Sequence, residues 1–246
     1  MIRERWERSA TGAMLYDARY AGQFDPQWFD PAHWHARAAA EPTTGGRGAS
    51  WFVAGIEPWV LRRYRRGGMV SRLLADTYLW LGESRARPII EWQLLAWAHD
   101  AGLPVVRPVA ALVERAGLGY RGALITERVT ARSLAARLQE GAADSVLWRA
   151  AGVAVGRCHA AGLDHADLNL HNILLADDAR AWIIDLDRGV RRATPGAWCD
   201  ANLARLARSL AKEGANTDAT ACRTAWRALR EGYDAARATG SHGIDQ

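Results

Sequence analysis

Lysine is almost missing from this chain: of its 32 basic residues only Lys212 is a lysine, and the other 31 are arginines. With abundant alanine and glycine, the bias is a mark of genome composition. Cysteine is scarce too. Cys158, Cys199 and Cys222 are odd in number, widely spaced and without a C-x-x-C pair, which argues for reduced packing residues and against disulfides or a zinc site. No apolar run approaches the ~20 residues of a membrane span, and the start, Met1-Ile2-Arg3-Glu4-Arg5-Trp6-Glu7-Arg8, is too charged for a signal peptide. The expectation is a protein of the cytosol or of a membrane face. Repeats and low-complexity tracts are also lacking. A net charge of +5 and a pI near 9.5 suit a nucleic-acid binder, but no recognisable motif accompanies them, so no nucleic acid is expected.

What is present is a globular composition, 49% hydrophobic and 24% charged, in 246 residues, enough for one large or two small domains. The informative stretch is His165-Ala166-Asp167-Leu168-Asn169-Leu170-His171-Asn172-Ile173-Leu174-Leu175, followed by Trp182-Ile183-Ile184-Asp185-Leu186-Asp187. An Asp precedes an Asn by five positions, and two short apolar runs lead to a second Asp. That is the H-x-D-x-x-x-x-N … D order of kinase-type phosphoryl transfer. Ile173 to Leu175 and Trp182 to Ile184 read as buried strands with a turn at Asp177-Asp178. Such a hairpin folds Asp185 back beside Asn172. Phosphoryl transfer needs oxygen ligands for Mg²⁺ and a carboxylate near the attacking hydroxyl. Asn172 and Asp185 are the candidate metal ligands and Asp167 the candidate base, with His165 bracing the loop. The plain alternative is an Asx-rich turn beside an unremarkable hairpin.

Residues 1 to about 40 carry Phe24, Trp28, Phe29 and Trp34 near Asp25-Pro26 and Asp30-Pro31, steps that favour turns and helix starts. They read as a packed extension rather than a binding surface. Next, Gly45, Gly46 and Gly48 lie in a Gly-rich connection before the runs Trp51-Phe52-Val53 and Trp59-Val60-Leu61. Glycine there suits a loop over phosphates, because its backbone N–H groups can approach closely. The spacing G-G-x-G is not G-x-G-x-x-G, and a simple hairpin turn fits it as well.

Trp59-Val60-Leu61-Arg62 has the form of the V-A-I-K strand with arginine in the last place. No lysine precedes Asp185, so the usual phosphate-gripping lysine cannot exist here. Strand alternation separates Arg62 from Arg63 and puts it with Val60, and Arg62 is the better candidate for the nucleotide side. Its expected partner is Glu91, on a helix begun near Pro88, where an unpaired carboxylate at an apolar border would be costly. The 28 residues between them hold Arg65, Arg66, Arg85 and Arg87. They read either as a solvated basic loop or as a site for an anionic acceptor.

Further on, Val105-Val106, Ala110 to Val113 and Ala123 to Val129 suggest strands, and backbone groups near Glu127 to Arg132 are placed to meet an adenine ring. Ser133, and Asp144 with Ser145, are candidate helix caps. One helix runs to a stop at Gly162 and delivers the chain into the His165 loop. A basic stretch (Arg188, Arg191, Arg192) and two further helices follow. With no Ala-Pro-Glu element, the second lobe is small.

Gly45-Gly46-Arg47-Gly48, Leu61-Arg62-Arg63-Tyr64-Arg65-Arg66-Gly67-Gly68, Tyr78-Leu79-Trp80, Arg85 with Glu91, the His165 loop, Asp185-Leu186-Asp187-Arg188-Gly189 and Asn202 to Leu210 together give a pattern over nearly the whole chain. It resembles the 3-deoxy-D-manno-octulosonic acid (Kdo) kinases of lipopolysaccharide core synthesis, within the wider kinase-like lipopolysaccharide kinases. The resemblance implies ATP and Mg²⁺ as cofactors and transfer to the 4-hydroxyl of Kdo on a lipid A precursor. It also implies a peripheral place at the cytoplasmic face of the bacterial inner membrane, with the membrane surface as a partner. In that reading Asp167 is the base, Asn172 and Asp185 are metal ligands, and the Gly-rich loop covers the phosphates. Asp187, where classical protein kinases have glycine, either adds a carboxylate near the metals or braces the loop. The expected architecture is an α+β, two-lobed, protein-kinase-like fold. Residues 1–129 form a β-rich N-terminal lobe with extension, Gly-rich loop and basic insertion, and 130–246 form a small helical catalytic lobe. Its rivals are a phosphotransferase for a soluble hydroxylated small molecule and a non-catalytic kinase-like binding module.

Overall fold

The structure, a computed structural model, describes residues 1–37, 39–42, 50–64, 78–141 and 144–240. It divides into two units, Met1–Asp100 with Val106–Val129, and Ala101–Val105 with Thr130–Gln246.

The first unit is an antiparallel sheet with helices added. In chain order its elements are β1 (Glu4–Ser9), β2 (Gly12–Asp17), α1 (Pro31–His35), β3 (Ala40–Pro42), β4 (Ser50–Ala54), β5 (Pro58–Arg63), β6 (Tyr78–Leu79), α2 (Arg87–Asp100), β7 (Pro108–Ala116) and β8 (Gly119–Glu127). The sheet order is β1-β2-β7-β8-β5-β4-β3, with β6 also pairing β8. Two short 3₁₀ turns, Ala18–Tyr20 and Pro26–Phe29, and α1 carry Tyr20, Trp28, Phe29 and Trp34. Asp25 and Asp30 cap the second turn and α1, accepting from Gln27 N at 2.8 Å and Ala32 N at 3.1 Å, each with proline in the first position. The rings are packed: Tyr20, Trp28, Trp34 and Trp59 are buried in one cluster, and Phe24 stacks on Tyr16 at 3.8 Å. The chain before Phe24 is more than an extension, however, because β1 and β2 are strands of the sheet itself. Their alternation is hard to read from sequence because β1 is exposed along nearly its whole length.

Of the strands expected at Val105-Val106 and at Ala110 to Val113, the second lies within β7, whereas Val105, itself in the second unit, makes only an isolated parallel bridge with Ile183 of the same unit. Helix α2 turns Ile89, Trp92, Leu95 and Ala98 into the core and takes Glu91 with them. That burial is what makes a cationic partner necessary.

The second unit contains β9 (Arg132–Ser133), α3 (Leu134–Gln139), α4 (Ser145–Ala160), β10 (Leu163–Asp164), β11 (Ile173–Leu175), β12 (Ala181–Ile183), β13 (Val190–Arg191), α5 (Ala197–Glu213) and α6 (Ala219–Gly240). Ser133 caps α3 through Ala136 N at 3.2 Å, and Asp144 caps α4 through Val146 N at 2.8 Å. Helices α4 and α6 pack closely at Gly152, where a Cβ would fall 1.9 Å from the Leu229 carbonyl oxygen. Only glycine permits that approach. Gly162 ends the α4 segment at φ 83°, and its carbonyl accepts from Arg192 N at 2.7 Å. Among the described residues, no helix is long and apolar enough to cross a membrane.

Candidate active site

The turn at Gly162 sends the chain through β10, which pairs with β13 (Leu163 opposite Arg191, Asp164 opposite Val190). Asp164 is held from two sides, by Arg192 Nε at 3.0 Å and by Asn202 Nδ2 at 2.8 Å, and Arg205 in turn donates to Asn202 Oδ1 at 2.9 Å. The loop that begins at His165 therefore starts from a fixed point.

His165 is buried, and both of its ring nitrogens are engaged. Asp167 N donates to Nδ1 at 3.1 Å, and Nε2 lies 2.9 Å from the Ile184 carbonyl oxygen. An N–H already aimed at Nδ1 leaves Nε2 as the protonated nitrogen, so the ring is neutral and donates to Ile184. Burial pushes the imidazole below its ordinary range, against the opposing pull of the Ile184 carbonyl and the carboxylates of Asp185 and Asp167. The residue joins the Asp167 loop to the segment before Asp185.

Asp167 itself is exposed at the loop tip. Its main-chain carbonyl accepts from Asn169 Nδ2 and Asn172 Nδ2, each at 2.9 Å. Asn169 also caps the 3₁₀ turn Leu170–Asn172 through His171 N, and Leu170 N is anchored by Ser209 Oγ at 3.1 Å. The backbone under the carboxylate is thus fixed while the carboxylate faces outward.

After that turn, β11 and β12 pair as a hairpin, Ile173 opposite Ile183 and Leu175 opposite Ala181. One more main-chain bond, Ile184 N to Asn172 O at 3.0 Å, carries the pairing past the strand ends. It brings the residue before Asp185 against Asn172. Asp185 has φ 62°, in the left-handed region. Asp and Asn tolerate that region better than other side chains, and holding a non-glycine residue there costs on the order of 1–3 kcal/mol. Strain of this kind collects at functional sites, where the backbone aims a particular side chain.

Whether this pair suits Mg²⁺ depends on its donor atoms. The Asn172 amide gives its nitrogen to the Asp167 carbonyl, which turns Oδ1 the other way, and Asp185 adds a carboxylate. Two hard oxygen donors on adjacent backbone would suit a hard divalent cation such as Mg²⁺, which these residues would hold beside bound phosphate. Among the described residues there is no group of three or more His, Cys, Asp or Glu side chains placed to hold a metal. Asp187 is half-buried.

In the first unit, Arg62 on β5 and Glu91 on α2 form an ion pair, with the Glu91 side chain only 2% exposed. A third group joins them. The Tyr64 hydroxyl bonds the same Glu91 Oε2, Arg62 also donates to that hydroxyl at 3.1 Å, and the guanidinium lies 4.8 Å over the Tyr64 ring. Tyr64 stands in the Leu61–Gly68 stretch read from sequence but was given no role there, although it lies two places after Arg62, where alternation returns to the same face. The contacts of Asn169, Asn202 and Ser209, residues that the sequence pattern also includes, were not foreseen for another reason: their partners lie in turns or on a distant helix. Arg87 covers the rings of Tyr64, at 5.9 Å, and Tyr78, at 4.8 Å, whereas Arg85 is exposed. Gly45, Gly46, Gly48, Arg65 and Arg66 lie outside the described residues.

Comparison with known proteins gives the family. The profile of the lipopolysaccharide kinase (Kdo/WaaP) family matches residues 32–233. Three similar proteins bear the name 3-deoxy-D-manno-octulosonic acid kinase. That of Xylella fastidiosa (strain 9a5c) is 42% identical over 93% of this chain and 92% of its own length. That of Xanthomonas campestris pv. campestris (strain B100) is 47% identical over 82% and 81%. That of Stenotrophomonas maltophilia (strain K279a) is 41% identical over 94% and 92%. With its braced Asp167 loop, its Asn172–Asp185 hairpin and a profile match over most of its length, the chain belongs to the lipopolysaccharide kinase (Kdo/WaaP) family.

Proposed function

We propose that this protein is an ATP-dependent kinase that phosphorylates the 4-hydroxyl of Kdo on a lipid A precursor, as a peripheral protein at the cytoplasmic face of the bacterial inner membrane. The observation that carries the reading is the joining of Asp167, Asn172 and Ile184, the residue before Asp185, by two hydrogen bonds, Asn172 Nδ2 to Asp167 O and Ile184 N to Asn172 O. The names of the similar proteins support Kdo as the acceptor.

Asn172 and Asp185 hold Mg²⁺ in this reading. With ATP and Mg²⁺ bound, the metal neutralises charge on the phosphate oxygens. Asp167 orients the acceptor hydroxyl and takes its proton, from a loop whose backbone does not have to move. His165 stays neutral and transfers no proton, because both nitrogens are committed. Arg62 serves in lysine's place, since a guanidinium has five N–H donors and can meet a phosphate while one nitrogen stays with Glu91 and Tyr64. Gly45, Gly46 and Gly48 cover the phosphates on sequence grounds, and backbone groups of Glu127 to Arg132 meet the base. Arg65, Arg66, Arg85 and Arg87 are assigned to the anionic acceptor, whose carboxylate and phosphates suit guanidinium forks.

The test is phosphate transfer from γ-labelled ATP to a Kdo-bearing lipid A precursor, followed by mapping of the phosphorylated position by NMR. Phosphate on the 4-hydroxyl is expected. ATP turnover that is indifferent to the Kdo lipid, or phosphate on another hydroxyl, would overturn the assignment.

A further inference from the structure

One end of the first unit's sheet exposes leucines that no part of the mechanism uses. Leu118, in the turn between β7 and β8, is 87% exposed, and Leu79 and Leu81 are 66% and 60% exposed. They are three of the eight large hydrophobic residues exposed among those described. They are also neighbours: Leu79 pairs with Gly119, and Trp80 N donates to the Leu118 carbonyl oxygen at 3.0 Å.

The exposure has a structural cause. Along this segment the aromatic residues alternate with the leucines, and both aromatic residues turn to the buried Tyr120. Tyr78 stacks on it at 5.4 Å, and Trp80 meets it edge-on at 6.2 Å. Leu79 and Leu81 are left on the outer side of a segment pinned by ring contacts.

The charge around the leucines is mostly positive. Arg115 and Arg121 are exposed on the same hairpin, and Arg85 is exposed four positions after Leu81. Glu83 is neutralised by Arg8 at 3.0 Å, and Glu114 stands opposite Arg121 in the strand register. At this end of the sheet and in the segment after Leu81, four exposed arginines thus stand against two carboxylates. Exposed leucines beside half-exposed Trp and Tyr, rimmed by arginine, match the chemistry of a bilayer boundary with anionic headgroups.

We propose that Leu79, Leu81 and Leu118, with Arg115 and Arg121, form the surface that seats this protein on an anionic phospholipid bilayer. The inference deepens the proposed function, from which it takes the membrane-borne acceptor, and it names the face that does the docking. The leucines enter the acyl boundary, and the arginines meet lipid phosphates. Neither group belongs to the site that binds nucleotide or carries Asp167.

The experiment is sedimentation of the full chain with vesicles of mixed phosphatidylethanolamine and phosphatidylglycerol, and with vesicles of phosphatidylcholine alone. Binding is expected on the first and much less on the second, weakened by added salt. Leu79→Ser with Leu118→Ser should lower binding about tenfold or more, since two leucine side chains leave the apolar phase. Arg115→Gln should lower it about fivefold on anionic vesicles only. Circular dichroism checks that the variants fold, and phosphorylation of water-soluble Kdo by the leucine variant should match the unmodified chain. Unchanged vesicle binding by the folded leucine variant would overturn the inference. So would a wild-type dimer in light scattering that the leucine variant abolishes, because the face would then belong to a second copy. Vesicle binding that depends on the leucines in a chain without Kdo kinase activity would support the surface while rejecting the proposed function.

Discussion

Asn172 and Asp167 share a hydrogen bond that runs from the Asn172 side-chain amide to the Asp167 main-chain carbonyl, 2.9 Å long. The candidate metal ligand thus helps to hold the backbone of the candidate base. The two roles are mechanically coupled, and a substitution at Asn172 is expected to disturb both. Asp167 is the simpler place to begin, because its carboxylate faces outward and carries none of the loop's internal bonds.

Asp167→Asn should lower turnover on the order of 10²- to 10⁴-fold, the usual effect of losing a general base, while nucleotide affinity stays within about twofold. The loop should keep its shape, since its bonds use the residue's N–H and C=O rather than the carboxylate. Steady-state ATP consumption together with titration of a fluorescent nucleotide checks both halves. Near-normal turnover in the folded variant would remove Asp167 from the mechanism.

Asp185→Asn tests the metal assignment separately. It retains the size of the side chain and the tolerance for φ 62°, but it withdraws a charged oxygen from a hard cation. The Mg²⁺ concentration needed for half-maximal nucleotide binding should rise about tenfold or more, with partial rescue at high Mg²⁺. Superimposable metal titrations for the variant and the unmodified chain would show that Asp185 is not a ligand.

Much of this site was legible because its parts are local. The H-x-D-x-x-x-x-N spacing and the Asp177-Asp178 turn act over a few residues, and pairing of Ile173 with Ile183 follows once the hairpin closes. The Arg62–Glu91 pair was accessible by a different route, since a carboxylate on a buried helix face demands a cation and lysine was not available. Long-range partners were invisible. Nothing near Asp164 in sequence announces Asn202, and nothing near Leu170 announces Ser209, because those contacts depend on where α5 packs. The β1–β2 hairpin was missed for want of alternation, and the close approach of α4 to α6 at Gly152 could not be read because it depends on Leu229, far along the chain.

Acid should weaken the second unit through His159, a group outside the active site. It is buried against Tyr233, whose hydroxyl lies 3.0 Å from Nδ1, and against the Trp198 ring at 5.0 Å. Burial, reinforced by the Arg237 charge, pushes its pKa down to about 4. The folded pKa is below the ordinary 6.5, so the unfolded chain binds the proton more readily. Stability is full above about pH 6.5 and declines as pH falls toward 4, by on the order of 3 kcal/mol across that window. Urea melts at several pH values measure the slope. His159→Gln should flatten it, and an equally steep loss in that variant would assign the acid sensitivity elsewhere.

The last prediction concerns Tyr64, the third member of the Arg62–Glu91 pair. Glu91 is almost fully buried and receives Arg62 and the Tyr64 hydroxyl on one oxygen. Tyr64→Phe keeps the ring under the guanidinium and removes only the hydroxyl. A hydrogen bond to a charged group contributes about 1.5–3 kcal/mol, so the variant should lose roughly that much stability. With one donor fewer on the carboxylate, Arg62 is drawn further toward Glu91 and is less well set for phosphate. The KM for ATP should therefore rise about three- to tenfold, the range that 0.7–1.4 kcal/mol corresponds to, while the KM for the Kdo acceptor changes little. Arg62→Lys should be worse than Tyr64→Phe, because a single ammonium cannot serve carboxylate, hydroxyl and phosphate together. Arg62→Ala should also lower stability, because it takes a guanidinium away from a buried carboxylate. Urea melts and kinetics with each substrate varied in turn separate these effects. If Tyr64→Phe shifts both KM values equally, or if Arg62→Lys binds ATP as tightly as the unmodified chain, the arginine is not the phosphate grip and its pairing with Glu91 serves the fold alone.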